Sequence, residues 1–68
     1  MTPTIELNGE PREISAGQTL LALLAELGRD PRTVAVEYNG DILPRTRYGE
    51  TVLQAGDRLE VVHFVQGG

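Results

Sequence analysis

The residues that could do chemistry gather at one end of the chain, in VVHFVQGG. Gly67 and Gly68 follow directly on an apolar, strand-like run. Glycine has the most conformational freedom of any residue and no side chain to pack. Two glycines after a strand make a thin rod with a carboxylate at its tip, narrow enough to enter an active site that excludes larger residues. A terminal carboxyl has an ordinary pKa of about 3.3–3.7, so it is ionised at neutral pH and a poor electrophile. A nucleotide-dependent enzyme would have to convert it to an acyl-adenylate before sulfide or a thiol could attack the acyl carbon. On that reading the chain contributes no catalytic residue and delivers its own terminus as substrate. Taken alone, the pair is equally a frayed chain end.

The other reactive residue types offer little. His63 is the single histidine, and no nucleophile stands near it in sequence, so it reads as a partly exposed strand residue rather than an acid or base. There is no cysteine, which argues against a disulfide, a thiol nucleophile and a metal centre. Asp41 and Glu50 form no recognisable carboxylate pair. Lysine is absent and all six cations are arginine, so no side-chain amine is available for acylation. Arg45, Arg47 and Arg58 read as solvated charges worth little individually.

With a net charge of −4 and three aromatic residues, the chain is a poor candidate for nucleic-acid binding. A partner with a basic face suits it better. At 68 residues it is one domain at most. The start MTPTIELNGE lacks the pattern of a signal peptide. TLLALLAEL falls far short of the ~20 apolar residues that span a bilayer. These features predict a soluble protein working in the cytoplasm.

The apolar spacing that must position the end changes from two to 3.6 and back. TIELNGEPREI predicts a hairpin turning at Asn8-Gly9, with Pro11 on an edge or at a non-bonded position. SAGQTLLALLAELG predicts a helix with an apolar stripe of Leu20, Leu23, Leu24 and Leu27. Thr19 or Ser15 would cap it, Thr19 lying closer to the stripe, Gly28 would end it, and Pro31 follows. TVAVEYNGDILP predicts a strand, a second turn at Asn39-Gly40, and a short strand at Ile42-Leu43 stopped by Pro44. Arg45 to Ala55 is polar and irregular, with Tyr48 packing under it beside Val52 and Leu53. Ala55-Gly56-Asp57 forms a turn, and RLEVVHFV is the last strand.

The order β-β-α-β-β-β suits an α+β arrangement: a mixed sheet of four to five strands with one main helix on one face. The last strand would lie mid-sheet beside the first, which is the β-grasp, or ubiquitin-like, plan. Residues 1–66 would form the domain and Gly67-Gly68 a flexible tail. If Leu59 and Val61 face the core, Val62 and Phe64 face the other side. With Val65 and Gln66 beside the tail, they make a candidate docking patch. A covering loop or a bulge would remove it.

AGQTLLALLAELG, VAVEYNGDILPRTRYGETVLQAGDRLEVV and the final VQGG together resemble the ThiS-type sulfur carriers of thiamine biosynthesis, over essentially the whole chain. The middle run is the most specific part: an NG turn, ILPR, Tyr48, then a GD turn before the last strand. Gln66 stands where many relatives have a small residue. The resemblance implies a β-grasp protein that is a co-substrate, not an enzyme, and binds no cofactor of its own. It implies an E1-like, ThiF-type adenylyltransferase that uses ATP-Mg on Gly68. It further implies a sulfur donor such as a cysteine desulfurase, a terminal thiocarboxylate, and docking on a ThiG-type thiazole synthase. Carriers for molybdopterin, tRNA thiolation or cysteine synthesis share the same ending, as do ubiquitin-like modifiers.

Overall fold

The computed structural model describes residues 2–64. The expected tail, Gly67-Gly68, and the docking candidates Val65 and Gln66 lie outside the described residues.

Strands β1 (Thr4–Leu7) and β2 (Glu10–Glu13) form the predicted hairpin. Its two-residue turn needs positive φ at both central positions. Asn8 and Gly9 supply it, at +51° and +83°. Asn39 and Gly40 do the same between β3 (Val34–Tyr38) and β4 (Asp41–Leu43), at +51° and +91°. Pro11 sits on the outer strand opposite Glu6. Residues Leu7–Glu10 close the turn, so Glu6–Pro11 is a non-hydrogen-bonded pair and the missing N–H costs the ladder nothing.

Helix α1 covers Leu20–Glu26, shorter than the sequence pattern predicts at its N-terminal side. Ser15 to Gln18 form a turn instead. The Gln18 N–H donates to the Ser15 carbonyl at 3.0 Å, and the Ser15 N–H donates to Gln18 Oε1 at 2.8 Å. Of the two candidate caps, Thr19 is therefore the one used, its Oγ1 accepting from the Ala22 N–H at 3.1 Å. The remaining first-turn amides are also taken. Leu20 donates to the Thr51 carbonyl, Leu21 to Tyr48 and Leu23 to Thr19, at 2.9, 3.1 and 3.0 Å. At the other end Gly28, with φ +71°, completes a Schellman motif. Gly28 and Arg29 donate to the Ala25 and Leu24 carbonyls at 3.1 and 2.9 Å. Seven residues are too few for a helix to persist alone in water. These caps and its buried stripe hold it.

The irregular stretch is more ordered than its composition suggests. Arg45–Arg47 form a 3-10 turn, and Val52 makes a bridge to Thr19. The buried Tyr48 and Leu53 pin this segment to the core, as the sequence leads one to expect of Tyr48.

Strand β5 (Arg58–His63) lies mid-sheet in the order β2-β1-β5-β3-β4. It runs parallel to β1 and antiparallel to β3. The core between sheet and helix comprises Ile5, Ile14, Leu20, Leu23, Leu24, Val34, Val36, Tyr48, Leu53 and Leu59. Each large aliphatic side chain buried there contributes roughly 1.5–3 kcal/mol. Leu27, at the helix cap, is half-buried against it. One helix covers one face, so the other face of the sheet is open. This is the β-grasp plan that the element order predicts.

Candidate docking face and carboxyl end

Strand β5 alternates without a bulge. Leu59 is buried and Val61 half-buried on the helix side. Val62 and Phe64 face the open side and are 59% and 42% exposed. Among the described residues no loop covers them. Ladder pairing extends the apolar surface sideways. Val62 stands opposite Ala35, and Ile42 on β4 stands opposite Glu37, which stands opposite Glu60. Ile42 is 70% exposed, the most exposed large hydrophobic residue among those described. The sequence reading placed Ile42 in a short strand without assigning it a face. Its flanking Leu43, paired with the buried Val36, was the available signal that Ile42 turns outward.

The same face is acidic. Glu6, Glu13, Glu37 and Glu60 share it with one cation, Arg58, whose Nε lies 4.0 Å from Glu6 Oε2. Arg47 pairs with Glu50 at 2.8 Å on the exposed turn, which accounts for both as surface charges. Arg45 is exposed likewise. Asp41 closes the second hairpin opposite Tyr38. His63 is exposed at the end of β5 opposite Val34. Among the described residues no group of three or more metal-ligating side chains is brought together.

What fixes the position of β5 is a set of side chains to which the sequence pointed only as turn formers. Asp57 is buried, and it does more than shape its turn. Its Oδ2 accepts from the Tyr38 hydroxyl at 2.7 Å and the Gln54 N–H at 2.8 Å. Its Oδ1 accepts from Asn39 Nδ2 at 3.2 Å. The hydrogen bond to Asp57, with burial second, raises the Tyr38 pKa above its ordinary 10.0. Asn39 Oδ1 in turn accepts from the Arg58 N–H at 2.8 Å. The second turn asparagine works on the other side of the strand. Asn8 Oδ1 accepts from the Val61 N–H at 2.8 Å, and its Nδ2 donates to the Val61 carbonyl at 3.3 Å. Both Asn-Gly turns thus grip β5 through an amide that can accept and donate at once.

Comparison with known proteins decides the family. The sequence model of the ThiS family matches residues 5–68. The chain belongs to the ThiS family. A sulfur carrier protein ThiS from Thermus thermophilus is 40% identical over 91% of this chain and 95% of its own length. A thiazole synthase from Magnetococcus marinus is 53% identical over 94% of this chain but only 20% of its own length. This chain therefore spans about a fifth of that relative. The crystal structure of the thiamine biosynthesis protein ThiS from Geobacter metallireducens superposes with a TM-score of 0.81 at 29% identity, covering 96% of this chain and 99% of that one. The UBL domain of yeast Ddi1 superposes at 0.56 with 28% identity, covering all of this chain and 93% of that one, which agrees with the ubiquitin-like fold. The ThiS match runs to Gly68, so it includes the ending that drew attention in the sequence. No described helix is long and apolar enough to cross a membrane.

Proposed function

We propose that the protein is the sulfur carrier for thiazole formation in thiamine biosynthesis, with Gly68 as the sulfur-bearing residue. The observation that carries the reading is membership of the ThiS family through to Gly67-Gly68. A Gly68 carboxylate oxygen attacks the α-phosphorus of ATP on a ThiF-type activating enzyme, and pyrophosphate leaves. Hydrosulfide, supplied by a donor such as a cysteine desulfurase system, attacks the acyl carbon. AMP leaves with the bonding pair and a proton is released, giving the thiocarboxylate. A ThiG-type thiazole synthase then takes the sulfur. ATP and Mg belong to the activating enzyme; the carrier contributes its terminus and a surface.

That surface is the open face, with Val62 and Phe64 as anchors, joined by Val65 and Gln66 from the sequence pattern and by Ile42 from the ladder. Its carboxylates suit a partner with a basic rim. The relative from Magnetococcus marinus named as a thiazole synthase, of which this chain matches a fifth, supports the synthase as such a partner.

Intact-mass measurement tests the chemistry. After incubation with the activating enzyme, ATP-Mg and a sulfide source, the mass should rise by the difference between sulfur and oxygen. Deletion of Gly68 should abolish the gain. No gain in the intact chain, with full support of thiazole formation by the deletion variant, would refute the carrier role.

A further inference from the structure

We propose that the backbone of His63, on the side of β5 that faces β1, is a strand-addition site for an extended segment of the thiazole synthase. The inference rests on the synthase being the partner. It begins with the ladder. In the antiparallel β3–β5 pairing, the hydrogen-bonded positions are the even ones: Phe64 donates to the Thr33 carbonyl at 3.0 Å, and Asn39 donates to the Arg58 carbonyl at 2.8 Å. Alternation therefore turns the backbone groups of Leu59, Val61 and His63 away from β3, toward β1.

Two of those three are satisfied. The Leu59 carbonyl accepts from the Asn8 N–H at 2.9 Å. Val61 is engaged at both its N–H and its carbonyl by the Asn8 side chain. Strand β1 pairs with β5 only at Glu6–Arg58 and Leu7–Leu59, and then turns back at Asn8-Gly9. His63 is the next position, it is exposed, and among the described residues no backbone group pairs with it on that side. A gap thus opens in the sheet's central strand, in line with β1 and just past the Asn8 side chain.

The outer edges of the sheet are guarded. β2 carries Pro11 among the charged residues Glu10, Arg12 and Glu13, and β4 has three residues followed by Pro44. Such features discourage pairing with another chain. The His63 gap has no proline and no charged neighbour in VVHFV. A strand seated there would also run beside the exposed Val62 and Phe64. It would hold the chain five residues from Gly68, within about 17 Å of the carboxylate at ~3.3 Å per residue. The synthase is the occupant favoured because a protein named thiazole synthase holds a segment 53% identical to this chain within a polypeptide of which that segment is a fifth.

The ladder parity supplies a selective test. His63→Pro deletes the N–H that faces the gap without removing a β3–β5 hydrogen bond, and the extended Val62 before it suits proline. Binding to purified thiazole synthase from the same organism should weaken up to about tenfold, as expected for losing one interfacial hydrogen bond. His63→Ala keeps the N–H and should lose clearly less. In parallel, amide exchange at His63 in the unmodified chain should be fast alone and slowed by the synthase. Equal losses in the two variants would overturn the proposal, as would an His63 amide that exchanges as fast in the complex as in the free chain. The exchange measurement stands even if the proline variant misfolds. Absence of any binding by the unmodified chain would instead overturn the synthase partnership, and this site with it.

Discussion

Asp57 ties the turn before the last strand to the second hairpin. Three donors converge on a buried carboxylate: the Tyr38 hydroxyl, the Gln54 N–H and Asn39 Nδ2. Asp57→Asn keeps the shape but opposes an NH2 group to one of those donors. It should cost about 1–3 kcal/mol, read as a lower urea midpoint with an unchanged slope. Tyr38 gives a second, pH-dependent readout. Its folded pKa lies above 10.0, so the folded state holds the proton more tightly than the unfolded chain. The stabilisation is complete below the unfolded pKa and is lost as pH rises through the folded one. Tyr48, raised by burial, adds to the same loss. Melting temperature should therefore fall as pH climbs above about 10, and Tyr38→Phe should flatten that fall without abolishing it. In the sequence Asp57 read only as a turn residue. Its three donors come from positions 38, 39 and 54, and two of these are brought to it by tertiary pairing that no local pattern announces.

At the scale of elements, α1 and β5 show what was legible and what was not. The leucine stripe and Gly28 fixed the helix's buried face and its end. Its start stays open in the sequence between Ser15 and Thr19 because Ala16 and Gln18 fit a helix as well as a turn, and what keeps the helix from starting earlier is a pair of Ser15–Gln18 bonds. Thr19→Ala removes the cap on a seven-residue helix. It should cost about 1 kcal/mol, or roughly 4–8 °C in melting temperature for a domain of this size. Strand β5 was legible in its start and alternation, since its apolar positions are dense, although it ends at His63 rather than running on through Phe64, and Val65 lies outside the described residues. Its two asparagine grips were not, because Asn-Gly is fully explained as a turn signal before any tertiary role is considered. Asn8→Gly preserves the positive φ and deletes only the side chain. It should cost about 0.5–1.5 kcal/mol and speed amide exchange at Val61, leaving the β3 side of the strand protected.

For the whole molecule, one face of the sheet is covered by the helix and the other leaves Val62, Phe64 and Ile42 exposed. That division follows from the size of the chain, because a single seven-residue helix can cover only one side. The sequence indicated an apolar patch at Val62 and Phe64 and an acidic chain overall. It did not indicate that the two coincide, since Glu37, Glu60 and Ile42 join Val62 only through the β4-β3-β5 ladder. Coincidence has a measurable consequence. Apolar anchors contribute to affinity with little dependence on salt, whereas a rim of exposed carboxylates attracts a basic partner over distances of about 8–10 Å, the screening length near physiological salt. Raising NaCl from about 50 to 300 mM should weaken binding to the thiazole synthase several-fold, mainly through slower association. Glu37→Gln with Glu60→Gln should reproduce much of that loss at low salt and flatten the salt dependence. Phe64→Ala should act differently, weakening binding about equally at both salt concentrations and mainly through faster dissociation. If the charge variant and the unmodified chain show the same salt dependence, the acidic rim has no part in docking, and recognition rests on the apolar strip and the terminus alone.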